Sequence, residues 1–247
     1  MKKIGIVLLA LFPLLAIGNI SRRQENPKTS AADISTYIVD PQLQTLGMFW
    51  KDKSGNLIKI FQTLKQTLAA DKRELVFAMN GGMFKKGLLP QGLYVEKGKT
   101  LASLDTVQKG YGNFYLQPNG VFYLSRSKRA VVVKTKNFVF ADSIQFATQS
   151  GPMLVIDGRI HPVFVQGSKN VNIRNGVGIL PDGKVLFAIS KDRVNLYDFA
   201  NFFLQKGCTQ ALYLDGAVSR MYLPAQGWDK PSDINFGVMI GETRAAK

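Results

Sequence analysis

The sequence predicts an α+β fold, with a curved, largely antiparallel sheet of hairpins and helices packed against it in a single domain. Three observations lead to this prediction. Tight-turn residues separate short apolar or alternating runs throughout residues 75–190. Two segments on either side of this region keep helical spacing. No internal repeat and no domain boundary interrupts residues 36–247.

The predicted hairpins are defined by their turns. Pro118-Asn119-Gly120 separates NFYLQ from VFYLS, and Asp157-Gly158 separates PMLVI from RIHPVFV. Pro181-Asp182-Gly183 precedes KVLFAIS, and Lys97-Gly98 is a weaker fourth turn. Glycine and Asx residues at such positions tolerate the positive φ that two-residue hairpin turns require.

Two helices are predicted to frame the sheet. The first has an apolar stripe at helical spacing, made of Leu57, Ile60, Phe61, Leu64 and Leu68. The second begins at Asn195, with Asp198 three residues later at capping-box spacing, and it ends before Gly207. A strand over residues 211–214 follows and ends at Asp215-Gly216.

Residues 1–18 have the pattern of an export signal: two lysines, then an uncharged apolar run from Ile4 to Ile17. Ala16 and Gly18 supply small residues for cleavage after Gly18. The run is short for a bilayer core of about 30 Å, so we expect a cleaved leader, with an uncleaved N-terminal anchor as the alternative. Residues 19–35 are polar and are predicted to be a flexible tether.

The formal net charge is +15. For an exported protein, the polyanions within reach are phospholipid head groups, lipopolysaccharide and phosphodiester-linked glycans rather than nucleic acid. Association with a membrane surface is compatible with this charge. The alternative is that the charge only serves solubility, because the basic residues are scattered along the chain.

The sequence has too few histidines and cysteines for several kinds of catalytic or metal site. His161 and Cys208 are the only histidine and cysteine, so a zinc site with three or four such ligands is not expected. His161 precedes a proline in a predicted strand and is interpreted as structural. Cys208 follows a helix C-terminus, where the helix dipole disfavours a thiolate, and is interpreted as inert. We predict no metal and no cofactor.

Four segments carry polar or glycine residues at predicted strand ends. The first two are AMNGGMF, with Asn80, Gly81 and Gly82, and QSGPML, with Ser150 and Gly151. Glycines at a strand end let backbone amides approach a ligand. Each segment could equally be an ordinary turn.

The other two segments carry charges. NIRNGVGIL places Arg174 between short strands, which suits recognition of phosphate or a carboxylate, or a surface ion pair. LYLDGAVSRMY ends a hydrophobic strand at Asp215, with Ser219 and Arg220 close behind. A carboxylate at the end of a buried strand is a candidate general acid or base, and an Asp-Gly turn capped by serine is the alternative.

In this order, the four segments resemble the phosphodiester glycosidase family over residues 75–243. The resemblance rests on Asn80-Gly81-Gly82, Gly151-Pro152, Arg174 with Gly178, and the helix that leads into Leu214-Asp215-Gly216. Many family members have Asp-Gly-Gly-Gly-Ser, whereas this chain has Asp-Gly-Ala-Val-Ser from residue 215. The resemblance implies hydrolysis of a sugar-1-phosphodiester to a sugar and a phosphomonoester.

The resemblance also implies roles for individual residues. Asp215 would be the acid–base or stabilising carboxylate, and Arg174 would clamp the phosphate. Arg220 and the backbone amides of Gly81 and Gly82 would neutralise further charge. Asn80, Ser150, Gly151 and Ser219 would position the substrate. Five of them should line one pocket, with Asp215 within about 15 Å of Arg174: Asn80, Gly151, Arg174, Asp215 and Ser219.

We therefore expect an exported hydrolase in the periplasm or cell envelope that acts on a phosphorylated carbohydrate or glycolipid. The alternative is a non-catalytic envelope protein that binds anionic glycans through its positive charge. A metal-dependent phosphodiesterase is a third option, and it has less support because metal-binding carboxylates are not clustered in the sequence.

Overall fold

A computed structural model describes residues 33–216, 218–231 and 234–246. The predicted export signal, residues 1–18, lies outside these ranges, as do residues 19–32 of the predicted tether. The first strand begins at Ile34, so the last two residues of that tether belong to the folded domain. No helix in the described ranges has the length and apolar character needed to span a bilayer.

The described residues form two α-helices, seventeen strands and three short 3-10 turns. The 3-10 turns are Asn113–Tyr115, Thr135–Asn137 and Pro224–Gln226. In chain order, the helices and strands are β1 Ile34–Val39, β2 Thr45–Phe49, α1 Phe61–Ala70, β3 Arg73–Asn80, β4 Phe84–Lys85, β5 Leu89–Pro90, β6 Tyr94–Glu96, β7 Lys99–Ala102, β8 Gly120–Ser125, β9 Ala130–Lys134, β10 Ile144–Ser150, β11 Met153–Ile156, β12 Arg159–Ile160, β13 Asn175–Ile179, β14 Val185–Ser190, α2 Leu196–Gln205, β15 Gln210–Asp215, β16 Met221–Tyr222 and β17 Met239–Ala245.

The strands pair antiparallel in several sheets. The largest has six strands in the order β1-β14-β13-β15-β11-β12. A five-stranded sheet has the order β7-β6-β10-β8-β9, a four-stranded sheet has the order β16-β3-β17-β2, and β4 pairs with β5. The predicted α+β class and antiparallel pairing are confirmed. The strands divide among sheets because twisted open sheets of more than about ten strands tend to split.

Three of the four predicted hairpins are present: β6–β7, β11–β12 and β13–β14. In the turn between β11 and β12, Asp157 and Gly158 both have positive φ, at 50° and 74°. The strand predicted over residues 159–165 is shorter than expected and ends at Ile160.

The hairpin predicted at residues 118–120 is wrong on its N-terminal side. Residues 113–115 form a 3-10 turn instead of a strand. Phe114 is buried there, and its carbonyl accepts a hydrogen bond from the Asn119 side chain at 3.1 Å. Packing of this aromatic ring therefore overrides the strand propensity of the segment.

Both predicted helices form. α1 buries Phe61, Leu64 and Leu68, but it begins at Phe61 because Ile60 is extended and Leu57 makes a β-bridge to Lys51. The N-cap of α2 is as predicted, since Asn195 Oδ1 accepts the Asp198 amide at 2.8 Å.

The six-stranded sheet separates two parts of the core. Leu212 and Leu214 of β15 pack into the larger apolar cluster, together with Phe187 of β14. Tyr213 points to the opposite face, where it packs with Phe199 and other residues of α2. Strand β15 is therefore buried on both faces, and its C-terminal end holds Asp215 in the interior.

Candidate active site at the strand ends

The ends of four strands meet at one edge of the fold. Asn80, Ser150 and Asp215 are the last residues of β3, β10 and β15, and Arg174 directly precedes β13. Because β13 and β15 are antiparallel, Asn175 lies opposite Asp215. Paired Cα atoms are about 4.5–5.5 Å apart, and the next residue adds about 3.8 Å, so Arg174 and Asp215 lie well within the predicted 15 Å.

Asn175, which is not one of the predicted site residues, is the centre of this cluster. Its side-chain Nδ2 donates to the carbonyl of Asn80 at 2.8 Å and to Asn80 Oδ1 at 3.0 Å. Its Oδ1 accepts the amide of Asp215 at 2.7 Å and the hydroxyl of Ser219 at 3.4 Å. One fully buried amide thus ties together the ends of β3 and β15 and the loop that follows β15.

Asn80 is also fully buried. Its Oδ1 accepts two donors, Asn175 Nδ2 and the backbone amide of Arg220, the latter at 2.9 Å. These two donors fix the orientation of the amide group. Its Nδ2 has no hydrogen-bond partner among the described residues, which is uncommon for a buried donor.

Arg174 is buried, with an exposed fraction of 0%. Its Nε donates to the Val194 carbonyl at 2.7 Å, Nη1 to the Tyr213 hydroxyl at 2.9 Å, and Nη2 to the Asn170 carbonyl at 2.9 Å. All these acceptors are neutral. Arg174 was expected to clamp phosphate or, alternatively, to form a surface ion pair; in the structure it is fully buried, and Nε, Nη1 and Nη2 each donate to a neutral protein acceptor.

Tyr213 links Arg174 to Asp215. Burial raises the pKa of its phenol to about 12; the Arg174 charge opposes this rise, and the Asp215 charge adds to it. The guanidinium also lies over the ring, 5.3 Å from its centroid. The nearby side chain of Asn113 also lowers the pKa of the phenol. Tyr213 is therefore a neutral phenol at physiological pH, with its hydroxyl bonded to Arg174 and its pKa raised further by the charge of Asp215.

Asp215 is 6% exposed. One extra residue of β15, a β-bulge, lies between its pairing with Asn175 and the pairing of Tyr213 with Gly176. Bulges of this kind redirect side chains and occur often beside active sites. Asp215 Oδ1 accepts the Gly216 amide at 2.6 Å, which fixes the orientation of the carboxylate.

The loop after β15 folds back on Asp215. The Ser219 hydroxyl donates to the Asp215 carbonyl at 2.8 Å, and Arg220 Nη1 donates to the Ser219 carbonyl at 2.9 Å. Ser219 is buried, whereas Arg220 is half-buried. Arg220 is therefore the more accessible of the two predicted site arginines.

The remaining predicted site residues serve mainly close packing. Ser150 is buried, and its hydroxyl donates to the Leu214 carbonyl at 2.9 Å. A Cβ on Gly151 would lie 2.7 Å from the Asn119 Cβ, and one on Gly82 would lie 2.8 Å from Thr148 Oγ1. The predicted role of the Gly81 amide needs correction, because this amide donates to the Val238 carbonyl at 2.8 Å.

A small cavity of about 180 Å³ lies next to residues that contact the Arg174–Tyr213 pair, but none of the predicted site residues lines it. Asn170, whose carbonyl accepts Arg174 Nη2, lines the cavity together with Asn113. Phe164 and Tyr197 contribute aromatic surface. Polar amides next to aromatic rings suit a small polar ligand such as one sugar ring.

His161 and Cys208 lie away from this chemistry. His161 Nε2 bonds to the Gln117 carbonyl at 3.0 Å, Nδ1 accepts the Val163 amide at 3.2 Å, and burial lowers its pKa. Burial likewise raises the pKa of the Cys208 thiol to about 12. Within the described ranges, no group of three His, Cys, Asp or Glu side chains could hold a metal ion.

The sequence contained a signal for some of the residues that were missed. Asn175 directly follows the predicted Arg174, and Tyr213 lies two residues before the predicted Asp215. Asn113, at the start of a 3-10 turn, and Asn170, in a loop, have no distinguishing sequence pattern, and only the fold brings them to the cluster.

Comparison with known proteins gives a consistent result. The family model described as phosphodiester glycosidase matches residues 73–241. The uncharacterized protein YigE of Escherichia coli (strain K12) is 36% identical over 218 residues, which are 87% of this chain and 83% of that protein.

Solved structures share the fold. The catalytic domain of zebrafish N-acetylglucosamine-1-phosphodiester alpha-N-acetylglucosaminidase, auto-inhibited by its pro-peptide, aligns with a TM-score of 0.58 at 15% identity, over 87% of this chain and 84% of that one. A putative exported protein from Burkholderia pseudomallei aligns with a TM-score of 0.57 at 11% identity, over 85% and 73%. With the family match and the 36% identical relative, these findings show that the chain belongs to the phosphodiester glycosidase family.

Proposed function

We propose that this protein hydrolyses the glycosidic bond of a sugar-1-phosphodiester in an envelope glycan or glycolipid. The observation that carries the proposal is the position of Asp215, whose oriented carboxylate lies beside the Arg174–Tyr213 pair at the meeting point of the family's motif segments. The products would be a free sugar and a phosphomonoester.

Asp215 suits the charge that develops at the sugar. Cleavage of a glycosidic bond gives the anomeric carbon oxocarbenium character, which a nearby carboxylate can stabilise or attack. The Gly216 amide, bonded to Oδ1 at 2.6 Å, holds the carboxylate in one orientation. A preorganised group of this kind needs no reorganisation as the charge develops.

The departing phosphate requires positive charge more than it requires a proton. Arg174 is surrounded by neutral acceptors in a buried position, where the effective dielectric is low and its field extends toward the strand ends. In this proposal Arg174 acts through its charge and by positioning Tyr213, while the half-buried Arg220 contacts the phosphate. The sugar ring would occupy the cavity beside Asn113 and Asn170.

Export remains part of the proposal. The two lysines and the apolar run of residues 1–18 support delivery to the periplasm or cell envelope, where phosphodiester-linked glycans and glycolipids are found. The net charge of +15 supports contact with such anionic material.

The decisive experiment assays wild-type protein on a panel of sugar-1-phosphodiesters and identifies both products. Asp215→Asn keeps the shape of the side chain but removes its ionisable carboxylate, so turnover should fall by about 10²–10⁴-fold. Asp142→Asn, at an exposed turn, is the matched control and should keep full turnover.

Two results would contradict the proposal. Full activity of a folded Asp215→Asn protein would remove Asp215 from the catalytic role. No hydrolysis by wild type across the panel, with binding of anionic glycans that weakens as salt increases, would instead support the non-catalytic binding protein.

A further inference from the structure

A second and larger cavity, of about 690 Å³, lies apart from the Asp215 cluster. It is bordered by the end of β9, the turn after it, the β11–β12 hairpin and residues 117–118. None of the predicted site residues lines it. Its volume is within the range of about 300–1,000 Å³ that is usual for ligand sites.

Basic side chains dominate the charge of this cavity. Lys134, Lys136 and Arg159 line it, with Asp157 as the single acid. Both oxygens of Asp157 are engaged: Oδ2 accepts Lys134 Nζ at 2.9 Å, and Oδ1 accepts Gln210 Nε2 at 2.6 Å. Across the described ranges, Lys136 and Arg159 form no ion pair. Two unneutralised cations therefore face the same space.

The rest of the lining indicates what accompanies the anion. Gln108 and Gln117 bring neutral hydrogen-bonding groups, and Ile156 and Ile160 bring apolar surface. A guanidinium fork and a lysine together suit phosphate oxygens. We infer that this cavity is a second phosphate-binding site, which holds a phosphate ester attached to a less polar body, as in a glycosyl phosphate or a lipid head group.

This cavity shares a wall with the smaller cavity that Asn113 and Asn170 line. The hydrogen bond from His161 to the Gln117 carbonyl joins the two segments that separate the cavities. Gln117 and Pro162 face the larger cavity, whereas Leu116 and Val163 face the smaller one. A ligand with repeated phosphate groups could occupy both, and the second contact would raise its effective concentration near Asp215. The inference itself does not require hydrolysis at Asp215.

Titration calorimetry with α-glucose 1-phosphate tests the site in the mature protein. The double variant Lys136→Gln/Arg159→Gln should bind roughly tenfold or more weakly than wild type, because charge-assisted hydrogen bonds are lost. Lys65→Gln/Lys230→Gln removes the same charge from exposed positions elsewhere and should bind like wild type. Any binding at the Asp215 cluster is common to all these proteins, so the difference in affinity between the two double variants reports binding in the larger cavity. Equal affinities in the two double variants would overturn the inference.

Two further probes identify the source of the phosphate. Inorganic phosphate should bind more weakly than α-glucose 1-phosphate; equal affinity would overturn the inferred role of the attached body. Phosphatidylglycerol vesicles that bind wild type, but not Lys136→Gln/Arg159→Gln, would support a lipid head group, and glucose 1-phosphate binding without vesicle binding would support a glycan. Lys136→Gln/Arg159→Gln should still hydrolyse a short sugar-1-phosphodiester. If wild type shows no turnover but still binds α-glucose 1-phosphate more tightly than this double variant, only the proposed function is refuted.

Discussion

The Tyr213 hydroxyl fills the space in which a side chain on Gly216 would begin, since a Cβ placed on Gly216 would overlap that oxygen. The same Cβ would lie 3.9 Å from Arg174 Nη1. The bare backbone at residue 216 therefore allows a phenol, a guanidinium and the Asp215 carboxylate to share one small volume.

Gly216→Ala should consequently displace the Tyr213 hydroxyl. We expect the free energy of unfolding to fall by about 1–3 kcal/mol, as for other overpacked sites, and hydrolysis to fall with it. Urea denaturation measures the first effect. In a Tyr213→Phe background the overlapping oxygen is absent, so the same substitution should cost less; strictly additive costs would contradict the steric explanation.

Asn175→Ala should destabilise the strand ends. It leaves the Asp215 amide and the Asn80 carbonyl without the partners that they have at 2.7 and 2.8 Å. Each unsatisfied buried group costs about 1–3 kcal/mol, so a loss of at least about 2 kcal/mol is expected from denaturation curves. Asn137→Ala, at an exposed asparagine, is the matched control. Equal stability of the two variants would show that the hydrogen bonds of Asn175 do not stabilise the strand ends.

Arg174→Lys tests whether the guanidinium fork matters beyond its charge. A lysine keeps the positive charge but cannot reach the carbonyls of Val194 and Asn170 and the Tyr213 hydroxyl together. We expect a stability loss of about 1–3 kcal/mol and lower kcat/KM. Arg244→Lys alters an exposed pair with Glu74, where about 0–1 kcal/mol is typical. If Arg174→Lys keeps the stability and kcat/KM of wild type, Arg174 contributes only its charge.

Cys208 should make stability depend on alkaline pH. Burial raises the pKa of its thiol from 9.0 to about 12, so the folded protein keeps a proton that the unfolded chain releases. The stabilising contribution is complete below pH 9 and is lost as pH rises toward 12. Unfolding free energies measured over pH 9–11 should therefore decline less steeply for Cys208→Ala than for wild type. Rapid reaction of the native thiol with Ellman's reagent would show that it is not buried.

Export predicts a shortened chain. Mass spectrometry of the protein from an envelope fraction should show a mature N-terminus near Asn19, because Ala16 and Gly18 form the expected cleavage site. An intact Met1 in a soluble cytosolic pool would contradict export, and an intact Met1 in the membrane fraction would indicate the uncleaved anchor.

Local patterns were sufficient where local interactions decide the structure. The Asn195 cap and the turn at Asp157-Gly158 depend on residues adjacent in sequence, and both were predicted. The burial of Arg174 depends on Val194 and Tyr213, which are distant in sequence, so its local sequence did not indicate that it would be buried. The order of the motifs indicated one site, but the only sequence signal for the residue at its centre, Asn175, is its position next to Arg174.

The candidate active site can form only after two strands distant in sequence, β3 and β17, have paired. β3, which ends at Asn80, pairs along its length with β17, and the Gly81 amide bonds to Val238 just before β17. During synthesis, the chain therefore contains every motif residue before it contains β17, the strand that positions Asn80. The candidate active site is among the last features to be completed, and an incomplete chain that lacks β17 should be inactive although it contains Asn80, Arg174 and Asp215.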